Sequence, residues 1–504
     1  GWVVLPDESK HSLFDRNLYF NGYRTVAELQ GEMARLADQH PTLTELVPYG
    51  HSYCRTQNGC ETPGGDRTAG YGLLAMRVTN EDIPGATLLD GDTVERGEKP
   101  LFFLLSNIHA RELTTPEIAM RWLDLLLKEY GKDPDITWLV DWHEMWIIPT
   151  ANPDGHWITE LGTDPTYGSY PFMHRKNFDQ DADGDGSVDC AIWPSHSYSH
   201  FGVDLNRNHS FSWLPTGGGN SACSVTFSGP SAASEPEVAA LQELVRALYA
   251  DRRGPDLDDA AAPDTSGILF TLHNYGELVL RPWGFSDRLT PNEDGLKAIG
   301  DKLATFNEYR SCRPPECLYS AHGTTDDWAY GELGLPAFTF EIGSYQHGFS
   351  PPYAVIDEEQ WPDNRAAFLY AARIARAPYQ LIKGPDVSQL GVTILDHGAN
   401  TEVTAVLDDR SHGGQMIGGA QFSIDRPFWD PLAAPHPLRP IGNGSESPAA
   451  LFAAELSVAN LSPGRHIVFV QGQDIDGNIG ATRAAYFEVP APHNLSYLPL
   501  TAGQ

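Results

Sequence analysis

Four runs in this chain are apolar almost without interruption, and each ends in polar residues: "LFFLLSN" from Leu101, "MWIIPTAN" from Met145, "ILFTLHN" from Ile268 and "PAFTFEIG" from Pro336. A strand with one wet face alternates apolar and polar residues, so a continuous run needs cover on both faces. Helical periodicity supplies that cover in "RTVAELQGEMARLADQH" (24–40), "TTPEIAMRWLDLLLKEY" (114–130) and "SEPEVAALQELVRALYA" (234–250). Thr114 with Glu117, and Ser234 with Glu237, read as capping boxes, and Pro116 falls in a first turn. Strands alternating with helices specify an α/β sheet protein. In open sheets of that kind ligands bind at the C-terminal strand edge, where these runs turn polar.

Near 378–388 the pattern changes to alternating strands with Gly, Pro and Asn turns, as in "GRHIVFVQGQDIDGNIGATRAAYFEV". A chain of 504 residues exceeds what one core organises. We therefore expect a catalytic domain over 1–380, an all-β immunoglobulin-like sandwich over 385–492 and a tail over 493–504. The sandwich carries no cluster of His, Cys or acids that reads as a site, so an accessory or docking role is expected.

Acids outnumber bases 67 to 34, a formal charge of −33. Such a surface repels nucleic acid and anionic membrane and favours cationic partners; adaptation to high salt is a second explanation. No apolar run reaches the length of a membrane span. The chain opens "GWVVLPDESK", without initiator Met or signal pattern, and reads as a mature or trimmed form. Six cysteines fall into pairs that each close a short loop: Cys54 and Cys60, Cys190 and Cys223, Cys312 and Cys317. Three disulfides in a secreted, extracellular protein are expected, since no CxxC favours zinc bound through thiolates. A monomer is expected.

Catalytic zinc takes three protein ligands from His, Glu or Asp and keeps one position open. His109 and Glu112 in "HARE" are three apart at a helix entrance, and His273 ends a strand. H-x-x-E alone is a weak signal, and a lone strand-end His is usually structural. "HEMW" at 143–146 lacks the second His of H-E-x-x-H and leads into a core strand, so it is set aside.

The order of "HARE", "NPDG" (152–155), "FMHRKN" (172–177), "GVDLNRN" (202–208), "LHNY" (272–275), "LYSAHGTTDDWAYG" (318–331) and "FTFEIG" (338–343) resembles the M14 zinc carboxypeptidases of the A/B type, especially their bacterial carboxypeptidase T-like branch. The resemblance spans about 18–376. It implies a mixed central sheet flanked by helices, one Zn2+ per chain and hydrolysis of the C-terminal peptide bond of peptides and proteins. It implies His109, Glu112 and His273 as metal ligands, with Asp204 behind a ligand histidine. Glu341 becomes the general base and Arg175 the oxyanion donor. Asn206, Arg207 and the mobile Tyr319 take the substrate carboxylate. Asp326 lies at the base of the specificity pocket, where an Asp selects Lys or Arg with some tolerance of apolar residues; the adjacent Asp327 competes for that register.

Each assignment has a physical reason. Arg presents a planar fork that grips a carboxylate. A carboxylate in apolar surroundings beside a metal serves as base. A cation meets charge developing on a carbonyl oxygen, and a carboxylate fixes the tautomer of a ligand His. Two other enzymes use this scaffold, a peptidoglycan peptidase and an N-acyl amino acid amidohydrolase. An inactive binding protein is a third alternative. Finally, Asp181, Asp183, Asp185 and Asp189 in "DQDADGDGSVD" read either as part of a Ca2+ loop or as a solvated acidic turn; Ile192 stands where a closing Glu would be.

Overall fold

The four apolar runs form the centre of an eight-stranded sheet. The computed structural model describes residues 20–90, 93–190, 192–214, 219, 221–395, 400–442 and 447–491; the expected tail at 493–504 lies outside them. Two units are distinguished, Gly1–Tyr130 with Leu139–Tyr379, and Gly131–Trp138 with Gln380 onward.

In the first unit the strands are β1 (Thr44–His51), β2 (Gly72–Val78), β3 (Leu101–Ser106), β4 (Glu144–Ile148), β5 (Ile268–His273), β6 (Leu278–Leu280), β7 (Arg310–Cys312) and β8 (Ala337–Glu341). Their spatial order is β1-β2-β4-β3-β5-β8-β6-β7. The four central strands run parallel, and antiparallel pairs flank them at β2–β4 and β8–β6. The sheet is therefore mixed. Successive side chains point to opposite faces. Phe103, Leu105 and Leu269 pack with Val238, Leu241 and Leu248 of helix α4 (Pro236–Leu248). On the other face Phe102, Phe270 and Phe340 pack on Trp122 of α2 (Thr114–Glu129) and Phe368 of α7 (Trp361–Ile374). Each fully buried Phe or Leu contributes about 1.5–3 kcal/mol. The remaining helices of this unit used below are α1 (Val26–Gln39), α3 (Pro153–Leu161), α5 (Glu293–Asn307) and α6 (Thr325–Leu333). Parallel register brings Ser106 beside Leu272 and His273 beside Glu341, so three strand ends share one rim.

Neither expected capping box forms. Glu117 accepts instead from Arg24 N (2.9 Å), the Arg24 guanidinium and Tyr353 Oη (2.9 Å). Glu237 accepts from Tyr53 N (2.7 Å), while Ser234 Oγ donates to Glu235 (2.7 Å). A cap contributes about 1 kcal/mol; carboxylates this deeply buried are claimed by donors from distant segments. A capping box does form at α1, between Thr25 and Glu28. All three cysteine pairs are disulfide-bonded.

The second unit is one antiparallel sheet curled into a sandwich. Its strands are β9 (Asp386–Leu395), β10 (Asn400–Asp408), β11 (Ile417–Ile424), β12 (His436–Pro440), β13 (Ala449–Ser457), β14 (Gly464–Asp474) and β15 (Arg483–Val489), in the order β9-β10-β13-β12-β11-β14-β15. Its core includes Val403, Leu407, Phe422, Phe452, Val468 and Phe487. The early segment Gly131–Trp138 packs with it: Trp138 lies 5.9 Å from Trp429 and 6.2 Å from Phe469, and Asp135 accepts from Ala484 N at 3.0 Å.

Candidate active site

Asn107 turns the chain as it leaves β3. It adopts φ +53°, a left-handed conformation that Asn tolerates better than most residues. Its amide nitrogen donates to His109 O (3.1 Å) and Ala110 O (3.3 Å), and its oxygen accepts from Thr150 Oγ1 (2.9 Å). Thr115 Oγ1 at the start of α2 accepts from Asn107 N (3.0 Å) and donates to Glu112 O (2.9 Å). The loop is thereby fixed at both ends, with His109 and Glu112 facing one point.

His273 reaches that point from the end of β5. His109 Nδ1 is 2.8 Å from Glu112 Oε1, His273 Nδ1 is 3.1 Å from Glu112 Oε2, and the two Nδ1 atoms are 3.0 Å apart. All three residues are buried. Behind His109, Nε2 donates to Asp204 Oδ1 at 3.1 Å. Burial pushes the Asp204 carboxyl up, but the Arg175 guanidinium overrides it and holds the group well below the usual carboxylate range. Asp204 therefore accepts, the His109 proton sits on Nε2, and a lone pair on Nδ1 faces inward. Burial lowers the proton affinity of His273, yet the adjacent Glu112 carboxylate overcomes that and raises it. Two imidazole nitrogens and a carboxylate at this spacing fit a divalent zinc ion.

The other expected residues surround the same cavity of about 260 Å³, lined by Arg175, Asn206, Arg207, Tyr319, Asp326 and Glu341 among others. Arg175 lays Nε and Nη2 against Asp204 Oδ2, both at 3.0 Å. Asn206 accepts from Thr325 N (2.9 Å) and Oγ1 (3.0 Å), leaving its Nδ2 3.3 Å from His273 Nε2. Arg207 Nη1 donates to Asn206 O (2.6 Å) and Nη2 to Tyr319 Oη (3.3 Å). Tyr319 is half-exposed, two residues beyond the Cys312–Cys317 disulfide. Burial pushes the Glu341 carboxyl up to about 7, against the opposing pull of His273.

The two neighbouring acids of α6 separate cleanly. Asp327 accepts from Gly284 N (2.8 and 3.0 Å) and Phe285 N (3.0 Å), so its oxygens are engaged by backbone. Asp326 lines the cavity with Leu280, Pro314, Leu318, Ala321 and Thr339. Burial raises both carboxyls, and the Asp326 charge adds to the rise at Asp327.

The zinc carboxypeptidase family, Peptidase_M14, matches residues 29–367 of this sequence. The chain belongs to that family. Zinc carboxypeptidase A 1 of Anopheles gambiae is 27% identical over 366 residues, covering 70% of this chain and 67% of that protein. Carboxypeptidase A2 of Rattus norvegicus is 26% identical over 376 residues, covering 71% and 74%. The crystal structure of carboxypeptidase A from Helicoverpa armigera superposes with a TM-score of 0.51 at 22% identity, covering 71% and 75%, and shows the shared fold. The chain is thus a hydrolase of the metallo-exopeptidase type, in a family that uses zinc and acts on peptide C-termini. Among the described residues no helix is long and apolar enough to cross a membrane.

Three features of this zinc carboxypeptidase were not singled out from sequence. Asn107 sits inside the strand-end stretch, where αL-tolerant Asn was the available signal. Arg111, the third residue of "HARE", lines the cavity, donates to Ser197 O (2.9 Å) and stacks 4.4 Å from the Phe349 ring. His200 bonds the Arg175 backbone, a contact that no spacing encodes. The acidic loop gives no support for calcium. Asp181, Asp183 and Asp185 do lie together, but they accept from amides of their own turn, Gly186 N to Asp181 (2.9 Å) and Ser187 N to Asp185 (2.8 Å). Asp189 Oδ2 likewise accepts from an amide of the turn, Asp183 N, at 3.4 Å.

Proposed function

We propose that this chain is an extracellular zinc carboxypeptidase that releases single C-terminal residues, favouring Lys and Arg while accepting apolar side chains. His109, Glu112 and His273 would hold the metal. When bound, zinc polarises the scissile carbonyl and acidifies water at the site. Glu341 takes the proton from the attacking water and passes it to the leaving amine, a role suited to a carboxyl that burial brings near neutrality. Arg175, anchored through Nε and Nη2, has Nη1 3.8 Å from Glu112 Oε1 beside the metal point, where it meets the developing oxyanion. Arg207 and Asn206 Nδ2 take the terminal carboxylate, with Tyr319 closing over it. Asp326 meets a cationic side chain, which relieves the cost of its burial.

The observation that carries this reading is the convergence of His109, Glu112 and His273 in the cavity that also holds Glu341, Arg207 and Asp326. Grips for both a metal and a free carboxylate favour an exopeptidase over the amidohydrolase, peptidoglycan and binding-protein alternatives. Three disulfides support an oxidising, extracellular setting, and the sandwich is read as an accessory module of a monomer. The narrower likeness to the carboxypeptidase T-like branch rests on the motifs. The test is residue-by-residue release from peptides ending in Arg, Lys, Phe or Leu, with and without a zinc chelator. Chelator-sensitive release of one residue at a time, fastest for Arg and Lys, is expected. Internal cleavage, or release indifferent to chelation, would overturn the reading.

A further inference from the structure

Arg175 is held at its backbone as well as at its guanidinium. Its N–H donates to His200 Nε2 at 3.1 Å, and its carbonyl accepts from Ala110 N at 3.1 Å, next to His109. His200 is fully buried. Its Nδ1 lies 2.8 Å from His196 O, an atom that can only accept, so the ring proton sits on Nδ1 and Nε2 is left as the acceptor. Both nitrogens are thus committed, and a doubly protonated ring would set N–H against N–H. Burial, with the charges of Lys176 and Arg111 and the neighbouring His174, keeps the proton affinity of His200 well below the ordinary value, so the ring stays neutral.

A second histidine braces the first. His174, adjacent to Arg175 in sequence, packs on His200 with ring centroids 4.4 Å apart. Its own nitrogens lie 2.9 Å from Ser195 Oγ and 3.0 Å from Asn177 O. His200 N in turn donates to Cys223 O at 3.3 Å, beside the Cys190–Cys223 disulfide. Arg175 therefore stands between the loop bearing His109 and a braced wall whose contact atom is His200 Nε2.

We propose that His200 is a positioning residue for catalysis: by accepting the Arg175 backbone N–H it sets the height from which the guanidinium reaches the substrate carbonyl. The inference rests on the reading of Arg175 as oxyanion donor. An interaction that acts only as charge develops lowers kcat when lost and spares KM. A misplacement on the order of 1 Å costs about 10²-fold, and loss of an oxyanion donor about 10²–10³-fold.

The experiment is a double-mutant cycle on the intact chain, with zinc content and melting temperature measured for every variant. His200→Leu is expected to lower kcat about 10- to 100-fold at nearly constant KM. His200→Gln, whose side-chain oxygen can replace Nε2 as acceptor, should recover most of that loss. Arg175→Ala should lower kcat about 10²–10³-fold, and adding His200→Leu to it should change little more. The proposal is overturned if His200→Leu costs as much in the Arg175→Ala background as in the wild type, if Gln is no better than Leu, or if kcat does not fall. An Arg175→Ala enzyme within tenfold of wild type would remove the underlying reading, before any His200 variant is made.

Discussion

His412 and His466, in the C-terminal sandwich, each have both ring nitrogens tied to acceptors of their own. His412 meets Ile382 O (2.7 Å) and Asp386 (2.8 Å), and His466 meets Asp425 (2.6 Å) and Ser462 O (2.8 Å). His109 and His273 are arranged differently: their Nδ1 atoms face each other at 3.0 Å across a shared carboxylate. A histidine whose ring nitrogens lie against a carbonyl and a carboxylate has its partners within its own surroundings. Two rings aimed at one point with Glu112 are closed only by a cation they share. The geometry of the unspent lone pairs, more than the residue types, separates the candidate metal centre from structural histidines.

Exchanging the two kinds of histidine is the strongest test of that contrast. His273→Ala should abolish stoichiometric zinc binding and bring peptide release down to background, because two protein ligands do not make a structural or catalytic zinc site. His412→Ala should leave zinc content and activity unchanged and cost stability alone. Metal analysis of both purified variants decides it, and equal zinc retention in the two would sink the ligand assignment.

Glu341 sharpens the comparison within the cleft, as a partly buried acid that is not part of the metal cluster. Glu341→Gln should lower kcat about 10³- to 10⁴-fold with zinc retained. A drop below tenfold would require another base.

Asp326 and Asp327 allow the same contrast between neighbours. Asp326→Ala should lower kcat/KM for C-terminal Arg and Lys about 10- to 100-fold relative to Phe or Leu, since a charge-assisted contact is worth about 1.5–3 kcal/mol. Asp327→Ala strands the amides of Gly284 and Phe285 and should cost stability, about 1–3 kcal/mol per unpaired buried donor, without changing preference. A variant of Asp326 that loses both substrate classes equally would show that it does not select.

The same local-versus-distant distinction explains how much could be read from sequence. The central strands were legible because they are covered on both faces and so apolar throughout. The motifs carrying His109, Glu112, His273 and Glu341 hang on strand ends or a helix start, whereas Arg175 and Tyr319 lie in irregular chain. No capping box forms at Thr114 or Ser234 because Glu117 and Glu237 are taken by Arg24 and Tyr53, far away in sequence. Asp326 and Asp327 were inseparable until Gly284 and Phe285 came to lie against one of them. His200 and the segment Gly131–Trp138 act wholly through space, with no periodic signal to announce them.

The smallest expected effect returns to the sandwich and concerns a proton. Burial opposes charge on His466, but its bonds to Ser462 O and Asp425 outweigh burial and raise its proton affinity above the ordinary 6.5. A group whose folded value is raised adds stability that is fully present below its unfolded value, near 6.5, and fades as pH rises through the folded value above it. Asp425 is about half exposed at its side chain, so solvent screens the pair and the effect is modest. His466→Gln keeps one donor and cannot gain the proton. Its melting temperature should therefore fall further below wild type at pH 6 than at pH 9, with zinc content and peptide release unaltered at both. Comparing variant with wild type at each pH cancels the titration of all other groups. An equal deficit at the two pH values would mean that His466 contributes through its packing on Phe487 and not through charge.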